Sequence, residues 1–167
     1  MRFGEKRFLA ICFAVVASFV ALSATPASAD EKTVFGYWKH LDDDTGQTQS
    51  IFKLFEYKGK LMGRIEKTFS TPKKPAQKIC SECSGSQKNK PIAGLIFFWD
   101  FVRDSGEPNK WVDGKILNPE DGKVYDAEAE LSGDGKSLKV YGYIRVIVKI
   151  GGSSVWKRPT AAEIAGL

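Results

Sequence analysis

Lys123-Val124-Tyr125-Asp126-Ala127-Glu128-Ala129-Glu130-Leu131 alternates an apolar or small residue with an acid over most of its length. A period of two marks a strand with one face in a core and the other in water, so Tyr125, Ala127, Ala129 and Leu131 point inward while Asp126, Glu128 and Glu130 point outward. Ser132-Gly133-Asp134-Gly135-Lys136 then supplies turn residues. Beyond them Leu138, Val140, Gly142 and Ile144 resume an apolar face, which makes the whole an antiparallel hairpin.

The same grammar extends in both directions. Residues 50–57 and 60–69 flank Tyr57-Lys58-Gly59-Lys60, a tight connection between antiparallel neighbours. Residues 35–40 precede Asp42-Asp43-Asp44-Thr45-Gly46-Gln47, a run suited to a turn, and provide the first strand. Residues 91–102 are apolar on both faces and 111–117 are shorter, and Asn118-Pro119-Glu120-Asp121-Gly122 reverses the chain again. Residues 146–150, the pair Gly151-Gly152 and residues 153–158 complete the pattern. No sustained helical stripe interrupts it. About eight or nine closely spaced strands with one long loop, near residues 70–90, imply meander connectivity, and closure removes the two exposed edges an open meander would leave. The expected fold is all-β, a single up-and-down antiparallel barrel of about eight strands, with a sandwich as the alternative.

The N-terminus reads as an address. Arg2, Lys6 and Arg7 lead into an apolar run from Phe8 to about Leu22, and Ala27-Ser28-Ala29 forms a small-x-small cleavage site before Asp30. The expectation is a cleaved secretory signal over residues 1–29, a barrel domain over 30–167, a periplasmic destination and no membrane span after cleavage. Cys12 leaves with the signal, because Ile11 is too bulky for a lipoprotein box. The signal carries three basic residues and Glu5, so the formal charge of +5 falls to +3 in the mature chain. That near balance, in an exported protein, argues against nucleic acid as a partner.

Cys80 and Cys83 remain in an oxidising compartment, where thiols pair. Lys78-Ile79-Cys80-Ser81-Glu82-Cys83-Ser84-Gly85 is polar loop sequence. A redox pair of the thioredoxin kind wants a helix N-terminus after a strand, and a zinc site wants more ligands than a chain with His40 alone supplies. A structural disulfide is the expectation.

Catalytic machinery is not visible. His40 ends the first strand beside an acidic turn and reads as a solvated histidine. Glu128 and Glu130 share a strand face with Asp126 and read as a wet acidic surface rather than a glycosidase pair. Asp42-Asp43-Asp44 resembles the start of a calcium loop, yet Lys53 stands where the bidentate Glu belongs. No catalytic residue, metal site or cofactor is assigned. Aromatic side chains remain: Phe97, Trp99 and Phe101 share one face of a strand, and small Ala127 and Ala129 leave room opposite them. Lys73, Lys74, Lys78, Lys88 and Lys90 make the long loop basic, able to meet anionic lipid headgroups or envelope polymers.

Gly36-Tyr37-Trp38 near the mature N-terminus and Trp156-Lys157-Arg158 near the C-terminus resemble the lipocalin pattern, which implies that Arg158 stacks on Trp38 and ties the chain ends together. A wider set of segments, in order, is similar to a family of small bacterial periplasmic proteins of unknown function with a lipocalin-like barrel. The set comprises Gly36-Tyr37-Trp38, Thr45-Gly46, Ser50-Ile51, Gly59-Lys60-Leu61-Met62-Gly63-Arg64-Ile65, Cys80-Ser81-Glu82-Cys83-Ser84-Gly85, Lys90-Pro91-Ile92-Ala93-Gly94-Leu95, Gly114-Lys115-Ile116-Leu117-Asn118-Pro119-Glu120-Asp121-Gly122-Lys123-Val124-Tyr125 and Leu138-Lys139-Val140-Tyr141-Gly142-Tyr143. Asn118 and Tyr141 depart from the pattern, where an Asp and often a basic residue are expected. The resemblance implies fold and compartment and carries no reaction.

The functional expectation is a non-enzymatic binding protein. It would hold a small apolar or amphipathic ligand in the barrel interior, lined by Phe97, Trp99, Phe101, Tyr125, Ala127 and Tyr141. The alternative is an envelope interaction protein or stress-related structural protein with a solid barrel core, acting through its basic loop.

Overall fold

The computed structural model describes residues 32–167, so the expected signal, Cys12 and the cleavage point before Asp30 lie outside the described residues. Eight strands form a closed antiparallel barrel in sequence order: β1 (Gly36–Leu41), β2 (Thr48–Tyr57), β3 (Lys60–Thr68), β4 (Ile96–Arg103), β5 (Lys110–Asn118), β6 (Lys123–Leu131), β7 (Ser137–Arg145) and β8 (Lys149–Lys157). A single turn of helix, α1 (Ala161–Ile164), follows the last strand. No helix among the described residues is long and apolar enough to cross a membrane.

Alternation sets the wall. On β6, Ala127 and Ala129 are buried beside exposed Glu130, and on β7 Leu138 and Val140 are buried beside exposed Lys139. The β2–β3 connection is a two-residue turn in which Lys58 (φ 52°) and Gly59 (φ 74°) are both left-handed, a geometry whose twist matches that of the flanking strands.

Because the strands alternate in direction, connections fall at two ends. The N-terminal segment, the β2–β3 turn, the β4–β5 loop and the β6–β7 turn share one end. The β1–β2 turn, the long β3–β4 loop, the β5–β6 turn and the β7–β8 tip share the other. The long loop folds over its end and buries Cys80, Cys83, Ile92 and Leu95 in the core cluster. Gln77 Nε2 donates to Pro119 O at 2.9 Å, and Gly122 backs onto the loop so closely that a Cβ there would lie 1.9 Å from Glu82 O.

Two strand readings are corrected. Gly151-Gly152 does not interrupt the last strand: β8 runs through it, paired Tyr143 to Gly151 and Gly142 to Gly152, because a Cβ on Gly151 would lie 1.9 Å from Gly142 O and only glycine permits that approach. Residues 91–95 belong to the loop, and β4 begins at Ile96. Closure is thin, since β8 meets β1 at one pair, Lys39 with Lys157. Helix α1 reinforces that seam from outside. Its Glu163 closes a capping box with Thr160 and accepts from Lys39 Nζ at 2.8 and 2.9 Å and from Thr48 Oγ1 at 2.9 Å.

Candidate functional site

Rings fill the interior. Phe52 on β2 lies 4.5 Å from Phe97 and 4.7 Å from Trp156 on β8, centroid to centroid, and Phe98 stacks on Phe101 at 3.6 Å. Strict alternation places Phe97, Trp99 and Phe101 on one face, and the structure departs from it. Ile96 pairs with Arg64 and Phe98 with Gly63, so Phe97 is an extra residue, and a bulge of this kind turns Phe97 and Phe98 the same way. A second irregularity between Phe98 and Phe101, where Asp100 adopts φ 65°, brings Phe101 inside as well. Trp99 is left half-buried opposite exposed Lys115. The face is therefore Phe97, Phe98 and Phe101.

Glycines complete the fit. Phe101 lies over Gly114, where a Cβ would come within 2.3 Å of the ring. Ala127 pairs with Gly114 and Gly142 and is fully buried, so the space beside it is taken by Phe101. Tyr125 is half-buried, its hydroxyl donating to Asp121 Oδ2 at 2.6 Å. Tyr141 is corrected to the outer wall: it pairs with Glu128, and its ring stacks on Tyr143 at 5.4 Å. On that wall Glu128 accepts from Lys149 Nζ, and Asp126 pairs with Lys115, so the acidic face is neutralised locally. One buried side-chain atom among the described residues lacks a hydrogen bond, Ser154 Oγ on β8, beside Val140.

A cleft of about 400 Å³ opens at the end that carries the N-terminal segment. Val34, Leu61, Phe101 and Trp111, all buried in the core and Phe101 completely so, underlie its apolar floor, and Lys32, Lys60, Arg103 and Glu56 stand around its rim. Each wall has an identifiable support. Trp38, fully buried, donates its indole N–H to Val34 O at 2.8 Å. The Arg158 guanidinium carbon lies 3.7 Å from the Trp38 ring centroid, and its N–H groups donate to Thr33 O, to Phe35 O at 3.1 Å, to Tyr37 O at 3.3 Å and to Gly135 O at 3.3 Å. The expected Trp38–Arg158 contact therefore exists and holds the segment that walls the cleft. On the opposite side Asp104 accepts from the backbone N–H groups of Gly106 (2.8 Å) and Glu107 (2.9 Å), which pull its pKa down and shape the β4–β5 loop. Arg103 donates to Pro108 O at 2.7 Å and sits over the Trp111 ring.

Elsewhere the chemistry is structural. Cys80 and Cys83 form a disulfide. Among the loop lysines, Lys73 pairs with Asp44, Lys74 with Glu120, and Lys88 donates to Ser81 O. Asp42 Oδ1 accepts from Thr45 N and Oγ1, which closes the acidic turn on itself. His40 is half-buried rather than freely solvated, and burial lowers its pKa against the pull of Asp43. No group of three His, Cys, Asp or Glu side chains among the described residues is arranged to hold a metal.

Of the cleft floor, only Phe101 was singled out from sequence. Val34 sits before the first strand, Leu61 follows a turn and Trp111 opens a short strand, so no local pattern joins them. Phe52 and Trp156 were missed as interior residues for the same reason: only closure brings β2, β4 and β8 together.

An eight-stranded meander closed on itself, with a Trp–Arg clamp tying first strand to last, defines a lipocalin-like barrel. A solved structure described as "Protein HP1028 from the human pathogen Helicobacter pylori belongs to the lipocalin family" is similar, with a TM-score of 0.63 at 20% identity, covering 80% of this chain and 88% of that one. Residues 36–158 match the model of the family described as "Uncharacterized protein conserved in bacteria (DUF2147)", and the chain belongs to that family. No curated protein matches it.

Proposed function

We propose that this is an exported, non-catalytic binding protein that seats a small amphipathic molecule at the mouth of its barrel. The apolar body would rest on the exposed edges of Leu61 and Trp111, and an anionic end would face Arg103 and Lys60, the latter also paired with Asp100 at 2.8 Å. The observation that carries the reading is the cleft of about 400 Å³ with an apolar floor and a mainly basic rim, within the size range of small-molecule sites. Interior binding around Trp99 has less support, because rings from β2, β4 and β8 occupy that volume. The lipocalin-like fold is compatible with ligand binding. Decanoate titration followed by tryptophan emission tests it. Asn109→Trp, which adds bulk at the exposed lip, should abolish binding, and Arg103→Glu should weaken it about tenfold or more by opposing the carboxylate. Absence of saturable binding by the unmodified protein overturns the proposal.

A further inference from the structure

The β7–β8 hairpin projects from the end of the barrel opposite the cleft, and its tip is the most exposed apolar feature of the described chain. Ile147 is 96% exposed, Val146 68% and Val148 63%, with the cross-strand pair Ile144 and Ile150 behind them, each about half exposed. Residues 149–154 of β8 extend past the single β1 pair, so among the described residues no strand covers this side of the ribbon. Such a run of β-branched residues in water is unfavourable, and nothing in the barrel's closure requires it.

The residues behind the tip follow an order. Arg145 and Lys149 flank it, one on each strand, and pair directly across the ladder. Tyr143 and Tyr141 come next. Arg145 Nη2 donates to the Tyr143 hydroxyl at 3.1 Å, and Lys149 Nζ reaches Glu128 and lies 4.7 Å from the Tyr143 ring. These contacts hold both cations at the hairpin's base, beside the tip. Lys149 keeps further N–H donors beyond the one it gives to Glu128. Lys78 and Lys90 of the long loop stand exposed at the same end. An apolar tip followed by cations is the order of chemistry met on crossing from acyl chains to headgroup phosphates. A second copy docked tip to tip would set these cations against their own kind.

We propose that the β7–β8 tip docks on an anionic lipid surface, Val146, Ile147 and Val148 entering the interface while Arg145 and Lys149 meet headgroup phosphates. This site is independent of the cleft, which opens at the other end. Flotation of the protein with vesicles of phosphatidylethanolamine and phosphatidylglycerol tests it, with phosphatidylcholine vesicles as the uncharged comparison. Partitioning should favour the anionic vesicles and weaken as salt is raised. Ile147→Asp, at a site that packs against nothing, should lower partitioning about tenfold or more, the effect of withdrawing one buried apolar side chain. It carries the same N-terminus as the unmodified chain, so any contribution from residues 1–31 cancels. Ile147→Trp should show a blue-shifted emission on adding anionic vesicles. Failure of the unmodified protein to partition, or equal partitioning of Ile147→Asp, overturns the proposal. So does sedimentation showing a dimer that Ile147→Asp dissociates.

Discussion

Replacing Arg158 by alanine should loosen one wall of the cleft without unfolding the barrel. The guanidinium serves four backbone carbonyls, those of Thr33, Phe35, Tyr37 and Gly135, and covers the Trp38 indole. Charge-assisted hydrogen bonds of this kind contribute about 1.5–3 kcal/mol each when buried, but these carbonyls lie near the surface, where water replaces much of the loss. Stacking on the indole adds about 0.5–2 kcal/mol. A net cost of about 2–3 kcal/mol follows. Trp38→Ala should cost more, roughly 3–5 kcal/mol, because a fully buried ring is deleted along with its bond to Val34. The two losses should not add: urea unfolding followed by circular dichroism should give a coupling of about 1 kcal/mol in the double-mutant cycle. Arg158→Lys should recover little, since an ammonium cannot serve this planar fork of acceptors. Amide exchange at residues 33–35 should rise in Arg158→Ala and decanoate affinity should fall with it. Zero coupling, with exchange at 33–35 unchanged, would refute the clamp as the support of the cleft.

Reducing the Cys80–Cys83 disulfide should cost roughly 2 kcal/mol, as expected for so short a loop, and trypsin should then cut first at Lys78 or Lys88, Lys90 being shielded by the following Pro91; a loss well above 3 kcal/mol would make it more than a local clip. Glu163 has its carboxyl held down to about 2, first by the Lys39 ammonium and then by the Thr160 N–H. A depressed carboxyl stabilises fully above its ordinary value of 4.5, and that stability is lost as pH falls toward about 2. The stability difference between the unmodified protein and Glu163→Gln, about 1 kcal/mol after screening, should therefore vanish across that window in acid unfolding curves. Ala127→Phe should overpack the site beside Phe101 and cost about 1–3 kcal/mol, read as a lowered urea midpoint. Ser154→Ala should be neutral or stabilising by up to about 1 kcal/mol, since it removes a buried hydroxyl with no partner.

Period-two patterning from residue 35 to residue 158, together with the turns at Tyr57-Lys58-Gly59-Lys60 and Ser132-Gly133-Asp134-Gly135-Lys136, was enough to specify strands, their antiparallel order and the need for closure. These signals are local, carried by side chains a few positions apart. The disulfide was legible from the expected export and the polar loop around Cys80 and Cys83, and the Trp38–Arg158 contact from resemblance. What the pattern could not carry was the register of β4. Two bulges and left-handed Asp100 exchange Trp99 for Phe98 on the interior face, and a bulge is decided by how two strands mesh, not by either strand alone. Val146–Val148 read as strand because a run of β-branched residues looks identical whether it faces a core or projects past the barrel's rim. Sequence by itself determined the strands and their antiparallel order, with a barrel expected ahead of a sandwich, because alternation and turns are written residue by residue. Only the tertiary structure decided which rings fill it, where a cleft remains and which apolar residues are left in water, because those follow from distances between strands far apart in the chain.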